Sequence, residues 1–323
     1  MNTIEPVLLK ELNETDYESL IDYRIRKILM ICSNYDAFIL EEDGQIESQI
    51  YKEYIDLNLS NPPKFIWVQT AAEARQLLNT VVGIDMVMCM YNVSDKDVFA
   101  LASEIEKERP NLPFVLLTHF SKEVYRRLAL QDTSAIDYMF SWHGNADLIV
   151  AIIKLFEDLQ NAERDILGVG VQAILLVEDS VKYYSTYLPE LYKLILMQAR
   201  EFLTETLNEQ QRKIRKRSRP KILLATNYDD ALAMYEKYKN NLLGVISDVG
   251  FTMHKDEGPD KEVLDAGIQL VNHIKADDPM MPVLLQSSQA SVAAVAQKIG
   301  VGFLKKYSKT LMLQLAEYIR EEF

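Results

Sequence analysis

The sequence predicts an α/β protein built as two tandem, doubly wound, five-stranded parallel sheets. Short apolar runs alternate with helical patterns along both halves, which is the signature of βαβ units. The second half repeats the order of the first, with weak side-chain identity. The chain has 323 residues, too many for one small core and ample for two α/β domains. Apolar residues make up 48% of it, so large cores can be buried and global disorder is not expected.

Residues 1–22 read as an N-terminal leader. In the first half the strand candidates are Lys27–Ile31, Phe65–Val68, Met86–Met88, Phe114–Leu117 and Ile136–Met139. "IVAIIKLFEDLQNAERDI" repeats apolar residues at helical spacing and reads as the last helix of this half. "LGVGVQ" then breaks it with two glycines. The division is therefore 23–165 and 166–323. The second half offers strands at Ala173–Val177, Lys221–Ala225, Leu243–Ser247, Val283–Gln286 and Gly302–Leu304. Helices are predicted near Val181–Gln211, Asn227–Tyr238, Lys261–Ala276, Ser291–Ile299 and Thr310–Glu322, with Asn227 as a cap. The first of these runs past a normal crossover by about two to three turns. It then turns basic in "QRKIRKRSRPK", which reads as a solvated charge run, or else as a contact for an acidic partner.

The formal net charge is −13, from 35 Lys and Arg against 48 Asp and Glu. Direct nucleic-acid binding needs a basic face and is not expected. Cys32 and Cys89 match neither a metal motif nor a disulfide framework, so reduced thiols and a cytoplasmic location are expected. No stretch has the apolar length of a membrane span, and the N-terminus is too acidic for a signal peptide.

Chemistry concentrates at strand ends in the second half. "AILLVEDS" supplies Glu178 and Asp179, "VISDVGF" supplies Asp248, "PVLLQSS" supplies Ser287, and "GFLKKYS" supplies Lys306. A parallel sheet gathers such ends at one rim, where open α/β sheets keep their sites. Carboxylates, a hydroxyl and an ammonium at one rim suit a divalent cation and a phosphoryl group. Strand alternation sends the neighbouring Lys305 away from the pocket.

This set resembles the receiver domain of two-component response regulators, over nearly all of Val171–Phe323. The resemblance implies a receiver (flavodoxin-like) sheet of order 2-1-3-4-5. It also implies a role for each residue. Glu178 and Asp179 would hold Mg²⁺, or Mn²⁺ in its place, together with Asp248 and the backbone carbonyl of Gly250. Asp248 would accept the phosphoryl group, Ser287 would hydrogen-bond it and Lys306 would pair with it. A histidine kinase or phosphotransfer protein would be the donor, and a homodimer or an output partner would read the modified surface. Phe303 matches the family's switch aromatic, although a strand needs an apolar residue there anyway. Two features depart from the family pattern. Tyr307 follows the lysine where proline is usual, and "VGFTMHKDEGPD" enlarges the loop after Asp248, so that Ser287 lies 39 residues beyond it.

The first half has the frame without this chemistry. Aligned on the same plan, Cys32 and Ser33 replace the acid pair, Met90 the acceptor, and Ser141 the lysine, with Trp142 after it, while Thr118 keeps a hydroxyl. It resembles a degenerate pseudo-receiver. The acids of Glu41–Gly44 read as surface, and His119 and His143 as loop residues without further metal ligands. Tandem domains of this look resemble the N-terminal regulatory region of pyruvate phosphate dikinase/phosphoenolpyruvate synthase-like proteins. Two other functions stay open: a phosphorylation-independent interaction scaffold and a Mg²⁺-dependent phosphohydrolase. In the receiver reading the chain is a phosphoacceptor with slow self-dephosphorylation rather than a dedicated enzyme.

Overall fold

The computed structural model describes residues 22–33, 46–57, 59, 61–119, 131–142, 144–201, 219–255, 257, 261–306, 308 and 310–322. Residues 1–21 of the leader, Glu41–Gly44, His143, residues 212–218 of the basic run and Tyr307 lie outside the described residues.

The first sheet contains β1 (Lys27–Ile31), β2 (Lys64–Val68), β3 (Met86–Met90), β4 (Phe114–Thr118) and β5 (Tyr138–Ser141), in the order β2-β1-β3-β4-β5. The second contains β6 (Ala173–Val177), β7 (Lys221–Ala225), β8 (Leu242–Asp248), β9 (Val283–Ser287) and β10 (Gly302–Lys305), in the order β7-β6-β8-β9-β10. All paired strands are parallel, and both sheets have the expected 2-1-3-4-5 order. Strands covered on both faces need apolar residues throughout rather than alternation. Accordingly "MVMCM" of β3 and "AILLV" of β6 are buried at every position.

Helices α1 (Ile46–Asp56), α2 (Ala71–Thr80), α3 (Val98–Glu108) and α4 (Ala146–Ala162) accompany the first sheet. Helices α5 (Val181–Glu201), α6 (Tyr228–Tyr238), α7 (Ala266–Asp277), α8 (Val292–Ile299) and α9 (Leu311–Glu322) accompany the second. Short polar side chains start several of them by accepting free N–H groups of the first turn. Thr70 accepts from Glu73, Asp97 from Phe99 and Ala100, and Asn227 from Asp230. Helix α5 is 21 residues long as described, with Pro189 inside it.

Several elements differ from the expected bounds, and for two of them the contacts show why. Strand β5 begins two residues late, because the Ile136 N–H is taken by the Thr133 carbonyl in a turn. Helix α7 begins at Ala266 rather than Lys261, because Val263 pairs antiparallel with Phe251 and ties the enlarged loop back on itself. One π-helical turn, Glu163–Gly168, takes in the first glycine of the two-glycine break, so the expected boundary at 165/166 falls inside a continuous helical segment.

The two halves share a core. One apolar cluster runs from Ile28 and Met30 of β1 through α1 and α4 to Leu176 of β6 and Leu188 of α5. The opposite face of each sheet has its own smaller core. Along the seam, β5 of the first sheet packs on α5 and β7 of the second packs on α4. The Tyr138 hydroxyl donates to the Leu224 carbonyl at 2.8 Å, the Ser141 N–H donates to Ser185 Oγ at 2.9 Å, and the Tyr184 hydroxyl donates to the Met139 carbonyl.

A buried ionic group also lies on the seam. Asp158 of α4 accepts two hydrogen bonds from Arg219, at 2.8 and 2.9 Å, and others from Tyr192 Oη and the Ile222 N–H. Lys221 pairs with Asp165 at 2.7 Å. Burial pushes the Asp158 carboxyl up, but Arg219 and Lys221 outweigh it and hold it below the usual carboxylate value. Burial also lowers the Lys221 ammonium, against the pull of Asp158.

Candidate functional site

Glu178 and Asp179 directly follow β6, Asp248 ends β8, Ser287 ends β9 and Lys306 directly follows β10. The topology places β8 between β6 and β9, with β10 beyond β9, so all five meet at the C-terminal rim. Alternation puts Glu178, Asp248 and Lys306 on the same sheet face as Leu176, Ile246 and Leu304 of the shared core. Lys306 Nζ lies 2.7 Å from Glu178 Oε2 and 2.6 Å from Asp248 Oδ2. Its side chain is 3% exposed and that of Glu178 is 1% exposed, so neither charge is shared with bulk water. Lys305 is exposed, as alternation requires.

Backbone donors fix the acids. The Ser180 N–H donates to Glu178 Oε1 at 3.2 Å, and the Val249 N–H to Asp248 Oδ1 at 2.7 Å. At Gly267, the start of α7, the backbone of the site itself demands a glycine. A Cβ there would sit 2.0 Å from the Asp248 carbonyl oxygen and 2.9 Å from Val249 Cα. Ser287 is buried at the rim, where its Oγ accepts the Gln289 N–H at 3.1 Å and its carbonyl accepts the Lys306 N–H.

Glu178, Asp179 and Asp248 each offer a carboxylate oxygen, and the three lie within 4.8 Å of one another. Three carboxylates against the single ammonium of Lys306 leave a formal excess of two negative charges. Oxygen donors with that excess fit a hard divalent cation. The electrostatics carry the same message. Burial, with the neighbouring Asp248 charge, pushes Glu178 up to about 8 and Asp179 up to about 7. Lys306 pulls Glu178 the other way, and their 2.7 Å contact is an ion pair. Burial lowers the Lys306 ammonium, but Glu178 and Asp248 outweigh it and raise it above its ordinary value.

Two residues at the site were not singled out from the sequence. Tyr183, in the first turn of α5, lays its ring over Lys306 Nζ at 4.1 Å from the centroid. The "YYS" that follows the acid pair was its only signal. Glu262 is returned by the enlarged loop against Gly250, where a Cβ would lie 2.3 Å from Glu262 Oε1. Its charge adds to the upward push on Asp179. Nothing in the sequence signals that return.

The first sheet shows what replaces this chemistry. Ser141 pairs with Thr118 as Lys305 pairs with Ser287, and the Trp142 N–H bonds the Thr118 carbonyl as the Lys306 N–H bonds that of Ser287. Trp142, not Ser141, therefore occupies the lysine position. Strand β5 runs to Ser141 and β10 to Lys305, so the residue directly after each strand is Trp142 in one domain and Lys306 in the other. Glu178, Asp248 and Lys306 are thus matched by Cys32, Met90 and Trp142, all buried in one apolar cluster. Thr118 matches Ser287 and is 1% exposed. Cys32 and Cys89 are free and buried, and burial pushes the Cys89 thiol well up. Among the described residues, no second group of acids, cysteines or histidines converges as the three carboxylates do.

No protein-family model matches the chain. No curated protein matches it either. Solved structures do. The signal receiver domain of an HD domain-containing protein from Pseudomonas fluorescens Pf-5 is 20% identical, covering 44% of this chain and 93% of its own at a TM-score of 0.33. A probable two-component system response regulator/GGDEF domain protein is 15% identical, covering 91% of this chain and 98% of its own at a TM-score of 0.36. The beryllofluoride-activated DrrB receiver domain is 18% identical, covering 41% of this chain and 97% of its own at a TM-score of 0.29. At such scores these likenesses carry no argument for function. Among the described residues, no helix is long and apolar enough to cross a membrane.

Proposed function

We propose that the second domain is a phosphoacceptor of response-regulator type and that the first is a pseudo-receiver fused to it. The observation that carries this reading is the buried Lys306, paired with both Glu178 and Asp248 while Asp179 stands within ligand reach of both acids. A structural ion pair needs one carboxylate. Two on the lysine and a third beside them leave the negative excess that a cation and a phosphoryl transfer require.

In this reading an Asp248 carboxylate oxygen attacks the phosphorus of the donor. The new O–P bond forms as the donor's bond to phosphorus breaks, and the donor leaves with its electron pair. Glu178, Asp179, Asp248 and the Gly250 carbonyl would hold Mg²⁺ or Mn²⁺, which neutralises charge on the transferring group. Lys306 exchanges a carboxylate partner for a phosphoryl oxygen, and the Ser287 hydroxyl donates to another. The donor is a histidine kinase or phosphotransfer protein, with small phosphoryl donors as substitutes. Phe303, half-buried on the opposite sheet face, and the surface around α8, β10 and α9 would carry the change to a partner or a second copy. A place ahead of a dikinase-like region belongs to the same reading.

The test is incubation of the full chain with acetyl phosphate and Mg²⁺. The expected outcome is one phosphoryl group per chain, absent without a divalent ion and absent in D248N. Labelling that persists in D248N would overturn the assignment.

A further inference from the structure

We infer that Tyr183 is a positioning residue for Lys306 and that the first domain sets its position through the start of α5. The inference rests on the phosphoacceptor reading for its functional meaning, but its geometry stands apart from it.

Lys306 carries its charge on a flexible stem in a nearly dry pocket. Two sides of the ammonium face Glu178 and Asp248, at 2.7 and 2.6 Å. The third side faces the Tyr183 ring, with 4.1 Å between Nζ and the centroid. An aromatic face attracts a desolvated ammonium without neutralising it. It also offers no acceptor that would compete with a phosphoryl oxygen. When a carboxylate partner is lost to a cation or to phosphorylation, the ring still holds the ammonium at the rim. Tyr183 is itself braced, since it stacks on Tyr187 one turn later, with centroids 5.9 Å apart and planes 23° apart.

The two residues after Tyr183 are fastened to the other domain. The Tyr184 hydroxyl donates to the Met139 carbonyl and Ser185 Oγ accepts the Ser141 N–H, both on β5. The Tyr184 ring meets Phe140 edge-on, with centroids 5.3 Å apart. Strand β5 is the strand whose end carries Trp142, the apolar counterpart of Lys306. The inert rim of the first domain therefore supports the helix turn that cages the reactive lysine of the second. This assigns the pseudo-receiver a task that its own lack of carboxylates permits, because its rim stays packed whatever the state of Asp248.

The experiment compares wild type with Y183F, Y183L and S185A in the full chain. The Lys306 ε-methylene protons are followed by NMR, and the initial rate of phosphorylation by acetyl phosphate is measured at saturating Mg²⁺. Ring-current shielding should move the ε-methylene signal upfield in wild type and Y183F and release it in Y183L. The phosphorylation rate should fall about 5–30-fold in Y183L, the equivalent of a desolvated cation–π contact, and recover in Y183F. S185A should weaken the shielding and lower the rate by a smaller factor. An unshifted Lys306 signal in wild type, or a Y183L rate equal to wild type, would overturn the inference. If wild type takes up no phosphoryl group at all, the phosphoacceptor reading fails while the NMR shift still decides the cage. An S185A protein with unchanged shielding would refute the part assigned to the first domain.

Discussion

Glu178, Asp248 and Lys306 in one domain and Cys32, Met90 and Trp142 in the other are two solutions to one packing problem. The end of the sheet is buried, so its three convergent side chains are either charges that partner one another or wholly apolar. Removing one partner of a buried pair is the costly intermediate. K306M should therefore lower the stability of the metal-free protein by about 2–4 kcal/mol, and Mg²⁺ should restore part of it; chemical denaturation with and without the ion measures both. The carboxyls also make stability depend on pH. Glu178 and Asp179 hold protons more readily folded than unfolded, with folded values of about 8 and about 7. Their contribution is fully present below the ordinary carboxylate range, near pH 4, and is lost as pH rises through 7 to 8. Without divalent ions, the melting temperature should fall between pH 6 and pH 8. D179N should flatten that fall and stabilise the metal-free protein at pH 8 by about 1–2 kcal/mol. A melting temperature that rises over this interval, measured by calorimetry, would contradict the assignment of buried, mutually repelling acids.

At the scale of elements, the strands were legible because a doubly covered parallel strand has to be an apolar run. "AILLV", "KILLA" and "KILMI" lie at the expected positions with the expected ends. The strand-end residues followed from those ends, which is why Glu178, Asp179, Asp248, Ser287 and Lys306 could be named from the sequence. Strand β5 was less legible. Ile136 and Tyr138 are both apolar enough to start it, and only the Thr133–Ile136 turn decides between them. The loop after Asp248 was legible as long but not as folded, because its Phe251–Val263 bridge and the return of Glu262 depend on tertiary contacts. Gly267 shows how closely that loop is tied to the site. G267A would drive a methyl into the Asp248 carbonyl, so α7 must shift, and a loss of about 3 kcal/mol or more is expected. A thermal melt checks it; an unchanged midpoint would mean that α7 does not rest on Asp248 in solution.

At the scale of the molecule, a two-domain organisation was legible from the repeat, but the fusion of the domains was not. Asp158 and Asn161 are polar positions of α4, and nothing local in the sequence supplies them with partners. In the structure they are buried, with Arg219 and Tyr192 supplied by the second half and the Tyr23 backbone by the start of the first. The partners lie 34 to 138 residues away, beyond any local pattern. R219A should leave Asp158 buried and unpaired at a cost of about 3–5 kcal/mol. Because the shared core joins both sheets, that loss should appear as a shift of one unfolding transition, followed by Trp67 and Trp142 in the first half and by far-ultraviolet circular dichroism for the whole. Two separated transitions with only the second displaced would show that the seam does not couple the halves.

The claim on which the rest depends is that Asp248 alone accepts the phosphoryl group. Borohydride reduction of the full chain after incubation with acetyl phosphate and Mg²⁺ converts an aspartyl phosphate to homoserine, which peptide mass mapping then locates. The expected result is homoserine at position 248 and at no position in residues 23–165. Homoserine elsewhere with position 248 unmodified, or no modification under conditions where the divalent ion is bound, would contradict the account.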